Sequence, residues 1–273
     1  MAKILLTGAN GFIGTALAEA LHNQHDLVCI GRREPDVGIP FVRGIFHEFE
    51  DLRQLDRYDI DAVIHLAAVT GGCLERDGMR VNVEGTRCLM RYLIDRGCKR
   101  FVMASSTAAV GFQNVKFRPQ QLPMREDHPC LDRDGYGVSK YLMEKVTEYY
   151  QLQNDDLEIT NLRLAAIYDE DNPPPKVTAG PVFEWACGAI TQLARCHAVD
   201  ALCRALGKDY LPGVHTMNIV HPQAWVDDPV PQILRAWYPE LDIDLSFYER
   251  PGNEKASVYD TSRAREMLGF HPE

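Results

Sequence analysis

The stretch ILLTGANGFIGTALAEALHN, residues 4–23, decides the fold. A short apolar run is followed by a glycine-rich turn and then by apolar residues at helical spacing, which predicts a buried strand, a tight turn and a helix. Gly8, Gly11 and Gly14 have the spacing GxxGxxG, and residues without a Cβ atom let main chain approach a phosphate closely. Amide groups at the start of the helix would then face that anion. The stretch predicts the phosphate-binding turn of a dinucleotide site, although a glycine turn without a ligand has the same pattern.

The alternation of strands and helices continues from this stretch to about residue 168. The predicted strands are residues 4–8, 27–31, 41–44, 62–68, 100–106 and 159–165, and the predicted helices are residues 12–23, 79–97 and 136–153. This order is typical of an α/β protein with a doubly wound parallel sheet, the Rossmann architecture.

Beyond residue 168 the alternation is interrupted. Four prolines within residues 169–181 predict a loop or lid. After them we expect helices at 182–206, 222–238 and 262–269 and strands at 216–220 and 244–249. The predicted organisation is a dinucleotide-binding domain over residues 1–168 and a small C-terminal substrate-binding lobe over residues 169–273, partly interleaved with the sheet.

Composition narrows the class of protein. The 273 residues are 45% hydrophobic and 25% charged, an ordinary globular profile, and the formal charge of -10 disfavours nucleic acid and anionic membranes as partners. No apolar run is long enough for a membrane span, and the eight cysteines form no CxxC pair. We expect a cytoplasmic protein with a small-molecule substrate, without a metal, nucleic-acid or membrane partner.

The end of the second predicted strand indicates which dinucleotide is bound. A carboxylate there normally accepts a hydrogen bond from the ribose 2′-hydroxyl. Here Gly31 occupies the place and is followed by Arg32 and Arg33. Two cations would suit a 2′-phosphate, so the sequence favours NADP over NAD, although solvated loop arginines would give the same pattern.

A serine, a tyrosine and a lysine form the candidate catalytic set. Tyr136 and Lys140 are four residues apart on a predicted helix and therefore share a face. A nearby ammonium lowers the pKa of a phenol, which suits Tyr136 as a general acid or base. Ser106 ends a predicted strand, where parallel sheets bind their ligands. Tyr141 and Lys145 repeat the spacing, but Tyr136 opens the helix and is the better candidate.

With these motifs in this order, the chain resembles the extended short-chain dehydrogenases/reductases, the NAD(P)-dependent epimerase/dehydratase family. The family motifs TGxxGxxG, HLAA, NVxGT, SSxxVYG, YxxxK, LRPxxVYG and DTSKARxxLGFxP have counterparts at residues 7–14, 65–68, 82–86, 105–111, 136–140, 162–168 and 260–272. The resemblance implies that Ser106, Tyr136 and Lys140 are the catalytic triad, and that His65 is a packing residue at a strand end. It also makes a homodimer possible, since relatives often pair through two long helices.

The resemblance also implies a set of cofactor-binding residues. It puts Gly8, Gly11, Phe12 and Ile13 on the pyrophosphate and Ala67, Ala68 and Lys140 at the nicotinamide end, and the expected set further includes Gly14, Arg32, Arg33, Leu66, Asn82 and Tyr136.

Some positions depart from the family pattern. Ile45 replaces an acidic residue that would contact adenine, Val110 replaces a tyrosine, and Asp169 replaces a glycine. Only about 105 residues follow Tyr168, which favours a substrate smaller than a nucleotide sugar. Residues 70–73 either line the substrate pocket or form an ordinary loop.

The predicted function is hydride transfer between NADP(H) and a hydroxyl or carbonyl carbon of a small sugar-like or other carbonyl substrate. Two alternatives stay open. A sugar or nucleotide-sugar epimerase or dehydratase would keep NAD bound and have no net redox change. A redox sensor or scaffold would bind NADP without turnover, and its role would not need the Tyr136 hydroxyl.

Overall fold

The structure, a computed structural model, describes residues 2–111, 116–131, 134–180, 182, 186–240 and 242–273, with the backbone alone at residues 186 and 187. The described strands are β1 (Lys3–Thr7), β2 (Asp26–Gly31), β3 (Phe41–Arg43), β4 (Ala62–His65), β5 (Arg100–Ser106), β6 (Glu158–Leu164), β7 (Ala166–Tyr168), β8 (Gln192–Ala194) and β9 (Gly213–Ile219). The described α-helices are α1 (Phe12–Leu21), α2 (Phe49–Leu52), α3 (Glu75–Asp77), α4 (Gly85–Ile94), α5 (Gly135–Gln153), α6 (Ala186–Ile190), α7 (Arg195–Gly207), α8 (Val230–Trp237) and α9 (Ser262–Leu268).

Seven of the strands form one parallel sheet in the order β3-β2-β1-β4-β5-β6-β9, and β7 pairs with β8 in a small second sheet. The strand order reverses between β1 and β4, where Thr7 lies opposite His65. In such sheets the crevice outside the carboxyl ends at this reversal is the usual ligand site. The predicted α/β class with a doubly wound parallel sheet is confirmed.

Helices cover both faces of the sheet because the strands are apolar on both sides. Ile4 and Leu6 of β1 belong to the core shared with Leu17 of α1 and Leu202 of α7. Leu5, which points the other way, belongs to the second core, formed with residues of α4 and α5. Helix α1 therefore packs beside α7 on one face of the sheet. The first residues of both helices lie at the carboxyl ends of the strands, where the crevice is expected.

The first half follows the sequence prediction closely, with one difference in helix type. The strands lie within a few residues of their predicted limits. The predicted helix 79–97 is instead a π-helical stretch (Gly78–Glu84) that continues as α4. The π-helical stretch packs tightly against the start of α5. A Cβ on Gly78 would lie 2.9 Å from the carbonyl oxygen of Gly135, the first residue of α5.

The second half departs further from the prediction. Strand β8 interrupts the predicted helix 182–206, of which residues 183–185 lie outside the described part. The predicted helix 222–238 begins only at Val230, and Pro231 lies in its first turn, where a proline is tolerated. The predicted strand 244–249 is wrong: these residues form turns, and the Asp244 carboxylate accepts a hydrogen bond from the Ser246 amide at 2.8 Å.

The proline-rich segment is fixed to the C-terminal part of the chain over its described residues 169–180. The Val177 amide donates to the Trp225 carbonyl at 3.0 Å, and the Trp225 indole donates to the Pro174 carbonyl at 2.9 Å. The Trp237 indole likewise donates to the Gly180 carbonyl at 2.9 Å. The segment is thus an ordered wall, and its role as a lid stays a prediction.

The C-terminal residues also contribute β9 to the main sheet, and α7 packs against β5 and β6 of that sheet. That residues 169–273 bind the substrate stays a prediction. None of the helices in the described ranges is long and apolar enough to cross a bilayer.

Candidate active site

The glycine turn after β1 lies directly against the loop after β4. Gly8 has a φ of +77°, and a Cβ there would lie 2.8 Å from the Ala67 amide nitrogen. A Cβ on Gly14 would lie only 2.0 Å from the Gly8 carbonyl oxygen. Both positions need glycine, and the free amides at the start of α1 border the cradle that results. These residues fit the pyrophosphate of a dinucleotide.

A buried threonine and histidine hold the loop after β4 in place. The Thr7 hydroxyl lies 2.7 Å from His65 Nδ1 and accepts a hydrogen bond from the Ala67 amide at 3.2 Å. His65 Nε2 lies 3.2 Å from the Thr86 hydroxyl. Burial lowers the pKa of His65 to about 3, and the charge of Lys140 contributes. The ring is therefore neutral, and it positions residues 66–68 rather than moving a proton.

Asn82 joins the same loop to α5. Its side chain accepts a hydrogen bond from the Val69 amide at 2.9 Å and donates to the Val69 carbonyl at 3.0 Å and to the Ser139 hydroxyl at 2.9 Å. Ser139 in turn donates to the Tyr136 carbonyl at 2.8 Å. The amide of Asn82 is thus engaged within the protein, and its predicted contact with a cofactor stays a prediction.

Ser106 and Tyr136 meet at the carboxyl end of β5. Asp134 accepts hydrogen bonds from the amides of Tyr136 and Gly137 at 2.7 and 2.8 Å, which fixes the start of α5. Residues 132 and 133, just before Asp134, lie outside the described part. Burial raises the pKa of Tyr136 to about 12, and a hydrogen bond from the Ser106 side chain opposes that shift. The phenol is therefore protonated, and the serine predicted to act with it is among the groups that influence its pKa.

Lys140 is buried one turn after Tyr136. Its ammonium donates to the Ala104 carbonyl at 2.7 Å and lies 5.9 Å from the centroid of the Tyr136 ring. Burial lowers the pKa of Lys140 to about 8, against the carboxylate of Glu144, which raises it. The structure thus brings Ser106, Tyr136 and Lys140 together at the carboxyl ends of the strands, where the glycine turn also lies.

Behind this group lies an ion pair that the sequence analysis missed. Glu144 accepts two hydrogen bonds from Arg163, at 2.9 and 2.7 Å, and one from the Ser105 hydroxyl at 2.5 Å. The side chains of Arg163 and Glu144 are 7% and 3% exposed. No local pattern points to this pair, because Glu144 lies on α5 and Arg163 on β6.

Arg32 and Arg33 follow β2 as predicted, and both are exposed. The Arg33 carbonyl accepts a hydrogen bond from the Asn10 side chain of the glycine turn. Burial lowers the pKa of His47, and the charges of Arg80 and Arg32 act in the same direction. That the two arginines bind the 2′-phosphate of NADP stays a prediction.

The loop after β4 also brings Cys73 near Tyr136, at the candidate site. Burial, followed by the charges of Asp134 and Asp77, raises the pKa of Cys73, so the thiol is protonated.

Within the described ranges no group of three histidine, cysteine or carboxylate side chains is arranged to hold a metal ion. A cavity of about 450 Å³ lies at the opposite edge, against Ile4 and Tyr210, and takes no part in the site.

Comparison with known proteins decides the family. The model of the NAD-dependent epimerase/dehydratase family matches residues 4–189. The chain belongs to this family. Among solved structures, the UDP-glucose 4-epimerase of Bifidobacterium longum in complex with NAD⁺ and UDP aligns with a TM-score of 0.74 and 17% identity over 100% of this chain and 94% of that one. At this identity the likeness shows the fold alone.

Characterised members that resemble the chain differ in activity. The NAD-dependent glucose-6-phosphate dehydrogenase of Haloferax volcanii is 30% identical over 65% of this chain and 72% of its own length. The UDP-glucose 4-epimerase of Pisum sativum is 27% identical over 59% of this chain and 51% of its own length. The chain spans 60% of one archaeal relative. Dehydrogenases and epimerases are thus both among the relatives of this family member.

Proposed function

We propose that this family member is an oxidoreductase that uses NADP(H) to interconvert a hydroxyl and a carbonyl group on a small sugar-like or other carbonyl substrate. The observation that carries the proposal is the placement of the Lys140 ammonium 5.9 Å from the centroid of the Tyr136 ring, with Ser106 acting on the same phenol. These groups lie at the carboxyl ends of the strands, where the turn with Gly8 and Gly14 also lies.

The three side chains supply the proton chemistry of such a reaction. A nicotinamide, when bound, supplies or accepts the hydride at the substrate carbon. Ser106 polarises the substrate oxygen by hydrogen bonding, and Tyr136 gives its hydroxyl proton to that oxygen in the direction of reduction. In oxidation Tyr136 takes the proton back, and the charge of Lys140 stabilises the phenolate that must exist at that stage.

The cofactor preference rests on charge at the end of β2. Arg32 and Arg33 are exposed there without a carboxylate at Gly31 to bind a ribose 2′-hydroxyl. A 2′-phosphate would gain charge-assisted hydrogen bonds from such arginines. We therefore propose NADP(H) rather than NAD(H) as the redox partner.

Binding titrations test this preference. We expect wild type to bind NADPH at least about tenfold more tightly than NADH, since a charged hydrogen bond is worth roughly 1.5–3 kcal/mol. Arg32→Asp should remove that difference, and Arg32→Lys should keep part of it. Equal affinity of wild type for NADPH and NADH would contradict the phosphate pocket.

The second candidate, a sugar or nucleotide-sugar epimerase or dehydratase, is favoured by relatives such as the Pisum sativum enzyme. Turnover separates the two functions. We expect NADPH to be consumed with small aldoses, ketoses and uronic acids as substrates. Conversion of UDP-glucose without added cofactor, and no NADPH consumption with any carbonyl compound, would favour the epimerase instead. That the chain forms a homodimer stays a prediction.

A further inference from the structure

Arg195 lies beside the glycine turn, although it is far from that turn along the chain. It is the first residue of α7, which packs against α1. Its guanidinium carbon lies 4.8 Å from the centroid of the Phe12 ring, and Phe12 is the first residue of α1. A phosphate held by the first amides of α1 would therefore lie next to the side chain that Arg195 covers.

The present partners of Arg195 hold it only loosely. It lies 3.4 Å from the Asp169 carboxylate and 3.6 Å from that of Glu170, longer than the usual 2.7–2.9 Å of a charged hydrogen bond. The arginine side chain is 29% exposed, and both carboxylates are more exposed still. Pairs of this kind contribute roughly 0–1 kcal/mol. The guanidinium can therefore leave them at low cost.

Glu170 has a second partner that would remain after such a move. Its carboxylate accepts a hydrogen bond from the Cys196 amide at 3.0 Å, at the start of α7. The acid is thus not left unpaired when the guanidinium turns away. The first turn of α1 contains no acidic side chain that would repel an anion or compete for Arg195.

We infer that Arg195 is a ligand of the dinucleotide pyrophosphate, turning from Asp169 and Glu170 to the phosphate oxygens at the start of α1. An arginine fork matches two phosphate oxygens, and the Phe12 ring guides it by stacking. The pyrophosphate would then be held from one side by α1 amides and from the other by a side chain of α7. The inference rests on the proposed function to the extent that a dinucleotide binds at this turn.

Two ligands that differ in the pyrophosphate test the inference by binding alone. The first, 2′-phospho-ADP-ribose, contains the pyrophosphate, and the second, adenosine 2′-monophosphate, does not. We expect Arg195→Gln to weaken the first by about tenfold and to leave the second within about twofold. Arg195→Lys, which keeps the charge without the fork, should lie between wild type and Arg195→Gln. The matched control is Arg235→Gln. Arg235 is an exposed arginine on α8 that pairs with Glu249, and its replacement should change neither affinity.

The outcomes separate cleanly. Unchanged affinity of Arg195→Gln for 2′-phospho-ADP-ribose would overturn the inference, and so would equal weakening of both ligands. If wild type bound 2′-phospho-ADP-ribose but consumed no NADPH with any carbonyl compound, the proposed function would fail and the role of Arg195 would be judged by the binding result. If wild type bound neither ligand, both would be overturned.

Discussion

The ammonium nitrogen of Lys140 lies 5.9 Å from the centroid of the Tyr136 ring, one helical turn further along α5. Burial acts on the two groups in opposite directions, raising the pKa of the phenol to about 12 and lowering that of the ammonium to about 8. Both pKa shifts favour the neutral form of the group. The resting pair therefore consists of a protonated phenol and an ammonium that loses its proton more readily than an exposed lysine does. General acid catalysis favours a pKa near the operating pH, so the prediction that Lys140 lowers the pKa of Tyr136 is wrong for this structure. Burial dominates, and the resting phenol can donate a proton but cannot accept one.

Replacing Tyr136 by phenylalanine should slow turnover strongly while leaving cofactor binding intact. General acid catalysis contributes about 10²–10⁴-fold, so kcat should fall by that factor. NADPH affinity should change by less than about twofold, because the hydroxyl supplies a proton and little binding free energy. The control is Tyr141→Phe, since Tyr141 has the same spacing to a lysine, Lys145, whose ammonium instead binds Glu148 at 2.8 Å. Similar losses of kcat in both variants would show that the wrong tyrosine has been assigned.

The titration of Lys140 should be visible in stability as a function of pH. Its pKa is about 8 in the folded chain and about 10.4 in an unfolded one. Between these values the unfolded chain binds more protons, so the free energy of unfolding rises with pH. We expect wild type to gain up to ~3 kcal/mol relative to Lys140→Met between about pH 8 and pH 10.4, measured by urea unfolding.

The same measurement at lower pH provides the control for Lys140. Below about pH 7 the residue is protonated in both states, and its contribution to the difference between wild type and Lys140→Met should be constant. A difference that stays constant through the alkaline window as well would mean that burial does not lower the pKa of Lys140.

Breaking the buried pair of Glu144 and Arg163 should destabilise the fold far more than breaking a surface pair on the same helix. Glu144→Gln leaves a buried guanidinium without its counter-ion, which costs roughly 3–5 kcal/mol. Glu148→Gln, one turn further along α5, removes an exposed pair with Lys145 and should cost under about 1 kcal/mol. Chemical denaturation of both variants measures the difference. Equal losses would show that the Arg163 charge is solvated when Glu144 is replaced.

The sheet could be predicted from sequence because its strands are short apolar runs separated by helical patterns. Residues 4–23 contain strand, turn and helix in one local pattern, and β5 has the predicted limits. Tyr136 and Lys140 could be paired because helical spacing alone puts them on one face. These features depend on neighbouring residues, which a sequence displays directly.

Other parts of the site depend on contacts between residues far apart in the chain. The Thr7 and His65 pair forms only because β1 and β4 are adjacent in the sheet, and Arg195 reaches Phe12 only because α7 packs beside α1. The predicted strand 244–249 is wrong for a local reason. The Asp244 side chain caps a turn, whereas the apolar residues around it gave the pattern of a strand. The spacing of apolar residues predicts neither the contacts between distant residues nor the side-chain cap of a turn.

The close approach of Gly14 to Gly8 gives the sharpest test of the glycine turn. A Cβ on Gly14 would lie 2.0 Å from the Gly8 carbonyl oxygen, a backbone atom that cannot move without opening the turn. Gly14→Ala should therefore destabilise the chain by roughly 1–3 kcal/mol and weaken NADPH binding, because the amides of α1 shift with the helix. Gly207→Ala, where a Cβ meets nothing within 4 Å, is the control, and it should leave both the thermal midpoint and the NADPH affinity close to wild type. If Gly14→Ala bound NADPH as tightly as Gly207→Ala, the pyrophosphate would have to bind away from this turn.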